Sequence, residues 1–178
     1  MGGNLTSTSG SPIQTLACAL KSLNRNGIQL CAVSRFFQTP SFPEGAGPDY
    51  VNAAVCIKTA LSARELLQRL HEIEAEFGRE RVQRWGMRTL DLDLIAYGEQ
   101  VLPDRDTQAS WRALPIEEQI QQSPGELILP HPRVQDRAFV LGPLCDIAQG
   151  WRHPLLGRTF EELYAQLPQS DRDALISL

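Results

Sequence analysis

With 178 residues, 42% of them apolar, the chain is long enough for one domain with a real core and too short for two comfortable ones. A net charge of −4 argues against a nucleic-acid partner held by the overall field. The widely spaced Cys18, Cys31, Cys56 and Cys145 exclude a zinc ribbon or disulfide framework and read as reduced core thiols; with no signal-peptide pattern and no bilayer-length apolar run, the expectation is a cytoplasmic protein bound to no membrane.

Gly2-Gly3-Asn4 opens as a turn, and Ser11-Pro12-Ile13-Gln14 is a capping box with proline at the first helical position. The helix it starts carries an apolar stripe of Ile13, Leu16, Leu20 and Leu23 and ends between Asn24 and Gly27. β-Branched and aromatic residues predict a strand from Ile28 to Phe37. The Pro/Gly-rich run from Thr39 to Pro48 is a loop, and Tyr50 to Ile57 resumes as strand.

Ser62-Ala63-Arg64-Glu65 caps a second helix, in which Leu66, Leu67, Leu70, Ile73 and Phe77 repeat at helical spacing until Gly78. His71 lies off that stripe, and Glu74 falls on the edge of the apolar face. Tyr97 to Leu102 reads as a turn and short return strand. From Pro103 to Glu126 the chain is polar, beginning as a loop with a short helix around Ile116 to Gln122; Trp111 and Leu114 predict that it packs on the body as a surface elaboration. Asp136 to Ile147 reads as a helix interrupted at Gly142-Pro143. Thr159 caps a last helix carrying Leu163 and Leu167, and His153 draws no role.

The chemistry concentrates between Arg79 and Ile95. Leu90, Leu92 and Leu94 alternate with Asp91 and Asp93, so a strand here buries the leucines and sets two carboxylates side by side on its other face. A solvated strand face is the plain alternative. Against it, Arg79, Arg81, Arg84 and Arg88 lie just upstream, with Trp85 and Gly86 among them. Paired carboxylates hold hard cations through oxygen, and guanidinium groups grip phosphates, so the combination points to phosphoryl or pyrophosphoryl transfer from a Mg²⁺-nucleotide. Helices capped between strands, without a βαβ repeat, indicate α+β with a mainly antiparallel sheet.

Arg84-Trp85-Gly86-Met87-Arg88-Thr89-Leu90-Asp91-Leu92-Asp93-Leu94-Ile95 resembles the signature of the 6-hydroxymethyl-7,8-dihydropterin pyrophosphokinase family. It departs at Met87, where the family has proline or a small residue. Further segments match in family order: Gly2-Gly3-Asn4-Leu5, Arg35 to Pro40, Pro48 to Ala54, Ile73-Glu74 with Gly78-Arg79, and Leu129-Pro130-His131-Pro132 leading to Arg137 to Leu141.

The resemblance implies a ferredoxin-like core over residues 1–178, with 103–126 as an extra segment, and transfer of pyrophosphate from ATP to the hydroxymethyl pterin. It implies Asp91 and Asp93 as ligands of two Mg²⁺ ions and, with Arg79 and Arg81, as catalytic residues. Glu74, Arg79, Arg81, Trp85, Arg88, Leu94, His131 and Arg137 are implied for ATP. Thr39, Pro40, Phe42, Tyr50, Asn52, Trp85 and Phe139 are implied for the pterin, Tyr50 and Phe139 sandwiching its ring. In the family a strand precedes the Gly-Gly-Asn-Leu turn, whereas here only Met1 does; the expectation is a chain lacking that first strand. The competing readings are a truncated, inactive relative that binds ATP or pterin, and a ferredoxin-like RNA-binding module.

Overall fold

In the computed structural model, residues 1–25, 27–41, 45, 47–79 and 88–178 are described. Helix α1 (Pro12–Leu23) begins at the expected box, with Ser11 N–H donating to Gln14 Oε1 at 2.8 Å. Its buried face is Thr15, Leu16, Ala19 and Leu23, while Ile13 is exposed, so the stripe is turned from the expected one. Helix α2 (Ala63–Glu76) has its box too, Ser62 N–H donating to Glu65 Oε2 at 2.8 Å. Its inner face is Ala63, Leu66, Leu70, Ile73 and, unexpectedly, Glu74. The two helices share one core with Ile28, Val51, Phe77, Leu90 and Leu92.

Every strand pairing among the described residues is antiparallel, as expected for the α+β class. The predicted strand from Ile28 to Phe37 is two strands, β2 (Ile28–Val33) and β3 (Phe37–Thr39), and that from Tyr50 is also two, β4 (Tyr50–Asn52) and β5 (Val55–Thr59). β2 and β5 form one ribbon; β1 (Gly2–Gly3), β4, β3 and β6 (Ile176–Ser177) form the other sheet, in that order. The switch between sheets occurs where the Ser34 hydroxyl, not a ladder carbonyl, accepts the Ala54 N–H at 2.9 Å, while Ser34 N–H donates to Ala54 O at 3.0 Å. A side chain thus satisfies the backbone at the bend.

Gly2 is paired on both sides, to Asn52 in β4 and to Asp91 in an isolated bridge. The expected strand at Leu90 to Leu94 is reduced to this bridge among the described residues. Its alternation survives without a ladder: Leu90 and Leu92 are buried and Asp93 faces outward. A Cβ on Gly3 would stand 2.4 Å from the backbone Thr89 O, so this position must be glycine for the segments to close, while one on Gly2, 2.5 Å from Asn52 Oδ1, would require the Asn52 side chain to shift.

A second core joins Ala54, Val134, Leu141, Leu144, Phe160 and Leu163, from a 3-10 turn at Val134–Asp136 and two later helices. In α5 (Ala138–Ala148) the expected interruption at Gly142-Pro143 is absent. Pro143 deletes only the bond to the carbonyl of Phe139, in the first turn of the helix at an exposed residue, where the loss is cheapest. The segment after Pro103, expected to begin as a loop, begins as a helix, α3 (Arg105–Ala113), whose Asp104 cap accepts Thr107 N–H at 2.9 Å. Helix α4 (Ile116–Gln121) follows, and the expected return strand is only a Leu102↔Leu129 bridge. The last predicted helix is α6 (Phe160–Ala165), followed by α7 (Gln169–Asp173).

Two cysteines depart from their expected core environment, and His153, for which no environment was expected, proves buried. Cys31 and Cys56 are exposed rather than core, because Leu30 and Ile57, beside them on β2 and β5, take the inward face. His153 is fully buried, its Nδ1 accepting Leu155 and Leu156 N–H at 3.2 Å. Among the described residues no helix is long and apolar enough to cross a membrane.

Candidate active site

The centre is built on Glu74. This carboxylate is 1% exposed, and its Oε1 accepts Leu92 N–H at 2.7 Å and also bonds the Arg79 guanidinium. Arg79 reaches onward, its Nη1 standing 2.7 Å from Asp91 Oδ1, and Arg88 Nη1 stands 2.9 Å from Asp91 Oδ2. A guanidinium nitrogen therefore stands within ion-pairing distance of each Asp91 oxygen, although Oδ1 takes no hydrogen bond among the described residues. Burial, with the nearby Asp93 charge, still pushes its carboxyl above the ordinary range against the pull of Arg88 and Arg79.

Asp93 is exposed to water. Burial pushes its pKa up, but His131, Arg137, the Met1 amino group and Arg79 outweigh that and hold it below the usual value. His131 is held by backbone: its N–H donates to Ile95 O at 2.8 Å and its Nδ1 accepts Arg133 N–H at 3.1 Å. With Nδ1 an acceptor, the neutral ring carries its proton on Nε2. Burial brings the imidazole pKa down to about 4, so it is neutral near pH 7. Burial also lowers the Arg137 pKa, opposed by Asp93. At the half-buried Arg79, Arg88 and Asp91 the opposed charges interact more strongly than they would at an open surface.

Beside it, Asn52 Nδ2 donates to Thr39 Oγ1 at 2.8 Å, both residues buried on neighbouring strands β4 and β3. The Tyr50 hydroxyl takes a hydrogen bond from Arg88, linking this pair of strands to the charged cluster. Phe139 is 41% exposed with the Arg137 guanidinium 5.7 Å over its ring. Pro40 is exposed and Leu94 half-buried. One positioning side chain lacked an expected role: Asn4, whose Nδ2 donates to Pro48 O at 3.1 Å and whose Oδ1 accepts Arg88 N–H at 2.9 Å. The Gly-Gly-Asn run was its only signal.

Thus Glu74, Arg79, Arg88, Asp91, Asp93, His131 and Arg137, up to 63 residues apart in sequence, form one electrostatic group, with Thr39, Tyr50 and Asn52 adjoining it. Arg81, Arg84, Trp85, Met87 and Phe42 lie outside the described residues. For Mg²⁺ the donor set fits: Asp91 and Asp93 offer hard oxygens, and the Asp93 charge raises the proton affinity of Asp91, a repulsion that a divalent cation relieves. Among the described residues no third His, Cys, Asp or Glu joins them, as suits an ion completed by phosphate oxygens and water.

Comparison with known proteins gives a consistent answer. The family model described as 7,8-dihydro-6-hydroxymethylpterin-pyrophosphokinase matches residues 1–149. The chain is 37% identical over 168 residues to the 2-amino-4-hydroxy-6-hydroxymethyldihydropteridine pyrophosphokinase of Synechocystis sp., covering 94% of this chain and 73% of the relative. It is 36% identical over 169 residues to the protein of that name from Pseudomonas aeruginosa, covering 94% and 89%, and 36% identical over 168 residues to that of Methylorubrum extorquens, covering 93% and 92%. A chain that matches the family model over most of its length, with the charged cluster inside the matched span, belongs to the 7,8-dihydro-6-hydroxymethylpterin-pyrophosphokinase family.

Proposed function

We propose that this cluster is where the chain carries out its family's reaction, pyrophosphoryl transfer from ATP to 6-hydroxymethyl-7,8-dihydropterin, in the cytoplasmic synthesis of folate. The pterin hydroxyl oxygen attacks the β-phosphorus; the new O–P bond forms as the bond from that phosphorus to the α-phosphate oxygen breaks. AMP leaves, and the hydroxyl proton is released. The observation that carries the placement is the pair Asp91 and Asp93 ringed by Arg79, Arg88, Arg137 and neutral His131.

Asp91 and Asp93 would hold two Mg²⁺ ions, which when bound neutralise triphosphate charge and polarise the reacting oxygens. Arg79, Arg88 and Arg137 supply fixed positive charge for the phosphates, and His131 donates from Nε2. Glu74 is buried and doubly engaged, so it serves ATP indirectly by holding Arg79 and the Leu92 backbone. Leu94 lies along the ATP side. Asn52 and Thr39 present amide and hydroxyl groups to the pterin edge, next to Pro40, while Tyr50 and Phe139 offer ring faces. By resemblance, Arg81 contacts phosphate, Trp85 closes over the pocket, and backbone groups near Phe42 read the pterin's hydrogen-bonding edge. Most of the rate enhancement then comes from positioning and charge, as in phosphoryl transfer generally.

The test is AMP release from ATP by the purified chain, with and without the hydroxymethyl pterin and with Mg²⁺ supplied or chelated. AMP that appears only when pterin and Mg²⁺ are both present supports the reading. ATP bound without AMP release returns the inactive-relative alternative, and family membership already weighs against an RNA-binding module.

A further inference from the structure

We propose that Gln108, in the segment inserted between Leu102 and Leu129, is a positioning residue for His131. This rests on the reading above that His131 contacts the phosphates of ATP.

Helix α3 is mostly polar, and Gln108 is its only buried residue, fully so. A buried primary amide is costly unless bonded, and an apolar residue would pack at such a position with no polar group to satisfy. The Gln108 amide meets a specific target: its Nε2 donates to Pro130 O at 3.0 Å. That carbonyl belongs to the peptide unit whose other end is the N–H of His131. The His131 N–H donates to Ile95 O at 2.8 Å. One planar peptide is therefore held at both ends, by the inserted helix on one side and by the segment following Asp93 on the other.

The neighbouring bonds complete the support. Leu102 and Leu129 exchange backbone bonds, Leu102 N–H to Leu129 O at 2.9 Å and Leu129 N–H to Leu102 O at 3.0 Å, fixing the chain just before Pro130. Beyond it, Arg133 N–H donates to His131 Nδ1 at 3.1 Å and fixes the ring. The peptide plane sets where the Cα–Cβ bond of His131 points, and the Arg133 bond sets the ring about that direction. Removing Gln108 frees one end of the plane and leaves the buried Pro130 carbonyl without its donor, so the imidazole loses its aim even where the fold persists. The inserted segment thus brings one amide to the back of the histidine turn and braces it there.

The experiment compares steady-state kinetics of Gln108→Met, which keeps side-chain length and deletes the donor, with His131→Ala and with the double variant. Gln108→Met is expected to raise KM for ATP about three- to tenfold, the scale of one lost hydrogen bond, and to leave KM for the pterin unchanged. In the His131→Ala background the same substitution should have no further effect on KM for ATP, since the group it aims is gone. A lowered melting temperature with KM for ATP unchanged overturns the proposal, as does a full Gln108→Met effect in the absence of His131. If His131→Ala alone leaves ATP binding intact, the failure lies in the active-site reading beneath it. Should Gln108→Met not fold, Gln108→Asn, one methylene shorter and withdrawn from Pro130, is measured in its place against the same outcomes.

Discussion

The Asn4 side chain and the Arg88 backbone are joined at 2.9 Å, Oδ1 accepting from N–H, while Asn4 N–H returns to Arg88 O at 3.0 Å. The same side chain donates to Pro48 O at 3.1 Å. A residue of the opening turn therefore ties the end of the Pro/Gly run, at Pro48, to the arginine paired with Asp91.

From this tie, Asn4→Ala should lower stability by about 1–3 kcal/mol, the cost of leaving buried partners unsatisfied, and should weaken both substrates. Asn4→Asp keeps an acceptor for Arg88 N–H and loses only the donor to Pro48. Its defect should fall mainly on the pterin, read as KM for pterin against KM for ATP. Equal defects for both substrates in the Asp variant would argue against Asn4 serving two loops separately.

Replacing Asp93 with Ala should slow AMP formation by about 10²–10³-fold, the scale of losing one preorganised electrostatic group. Asp93 faces outward beside buried Leu92, so the melting temperature should change little. Activity that survives in Asp93→Ala, measured over a Mg²⁺ titration, would remove this carboxylate from the ion site.

Glu74 predicts a contrast between two substitutions. Glu74→Ala leaves the Leu92 N–H without its acceptor and the Arg79 charge without its buried partner, and should cost about 3–5 kcal/mol. Glu74→Gln retains an oxygen for Leu92 and should cost less. Urea denaturation of the two variants decides this, and equal losses would mean that the charge, not the bond to Leu92, is what the buried position needs.

Acid sensitivity follows from His153. Burial, helped by the Arg112 charge, brings its pKa down to about 4, whereas an unfolded imidazole titrates near 6.5. Between those values the unfolded chain binds more protons. The contribution is thus fully present above pH 6.5 and lost as pH falls toward about 4, amounting to about 2 kcal/mol once solvent screening is allowed for. His131 acts in the same direction, while the raised Asp91 carboxyl opposes it. His153→Gln should flatten the loss of stability between pH 7 and pH 4.5 by about 2 kcal/mol, whatever its baseline cost. An unchanged slope in denaturant titrations at the two pH values would place the acid response elsewhere.

Local pattern decided much of this protein. The boxes at Ser11 and Ser62, the proline at the start of α1, and the alternation that separates Leu90 and Leu92 from Asp93 depend on neighbours a few residues away, and all three appear as the chain alone dictates. The in-order motifs were enough to identify the family, and of the residues they named, Asp91, Asp93, His131, Arg79, Arg88 and Arg137 stand close together in the structure. Periodicity reports a face; it does not report what that face meets. It placed Glu74 on an edge when the core encloses it, split neither long strand at Ser34 and Ala54, and kept Cys31 and Cys56 inside. It broke α5 at Pro143 and missed α3 with its single buried amide. Those outcomes depend on partners 18 to 22 residues away or more, such as Leu92 for Glu74, Pro130 for Gln108 and Ala54 for Ser34. Only the closed tertiary structure brings such partners within hydrogen-bonding reach, and there the high cost of an unpaired buried group selects one arrangement from the many that local pattern allows.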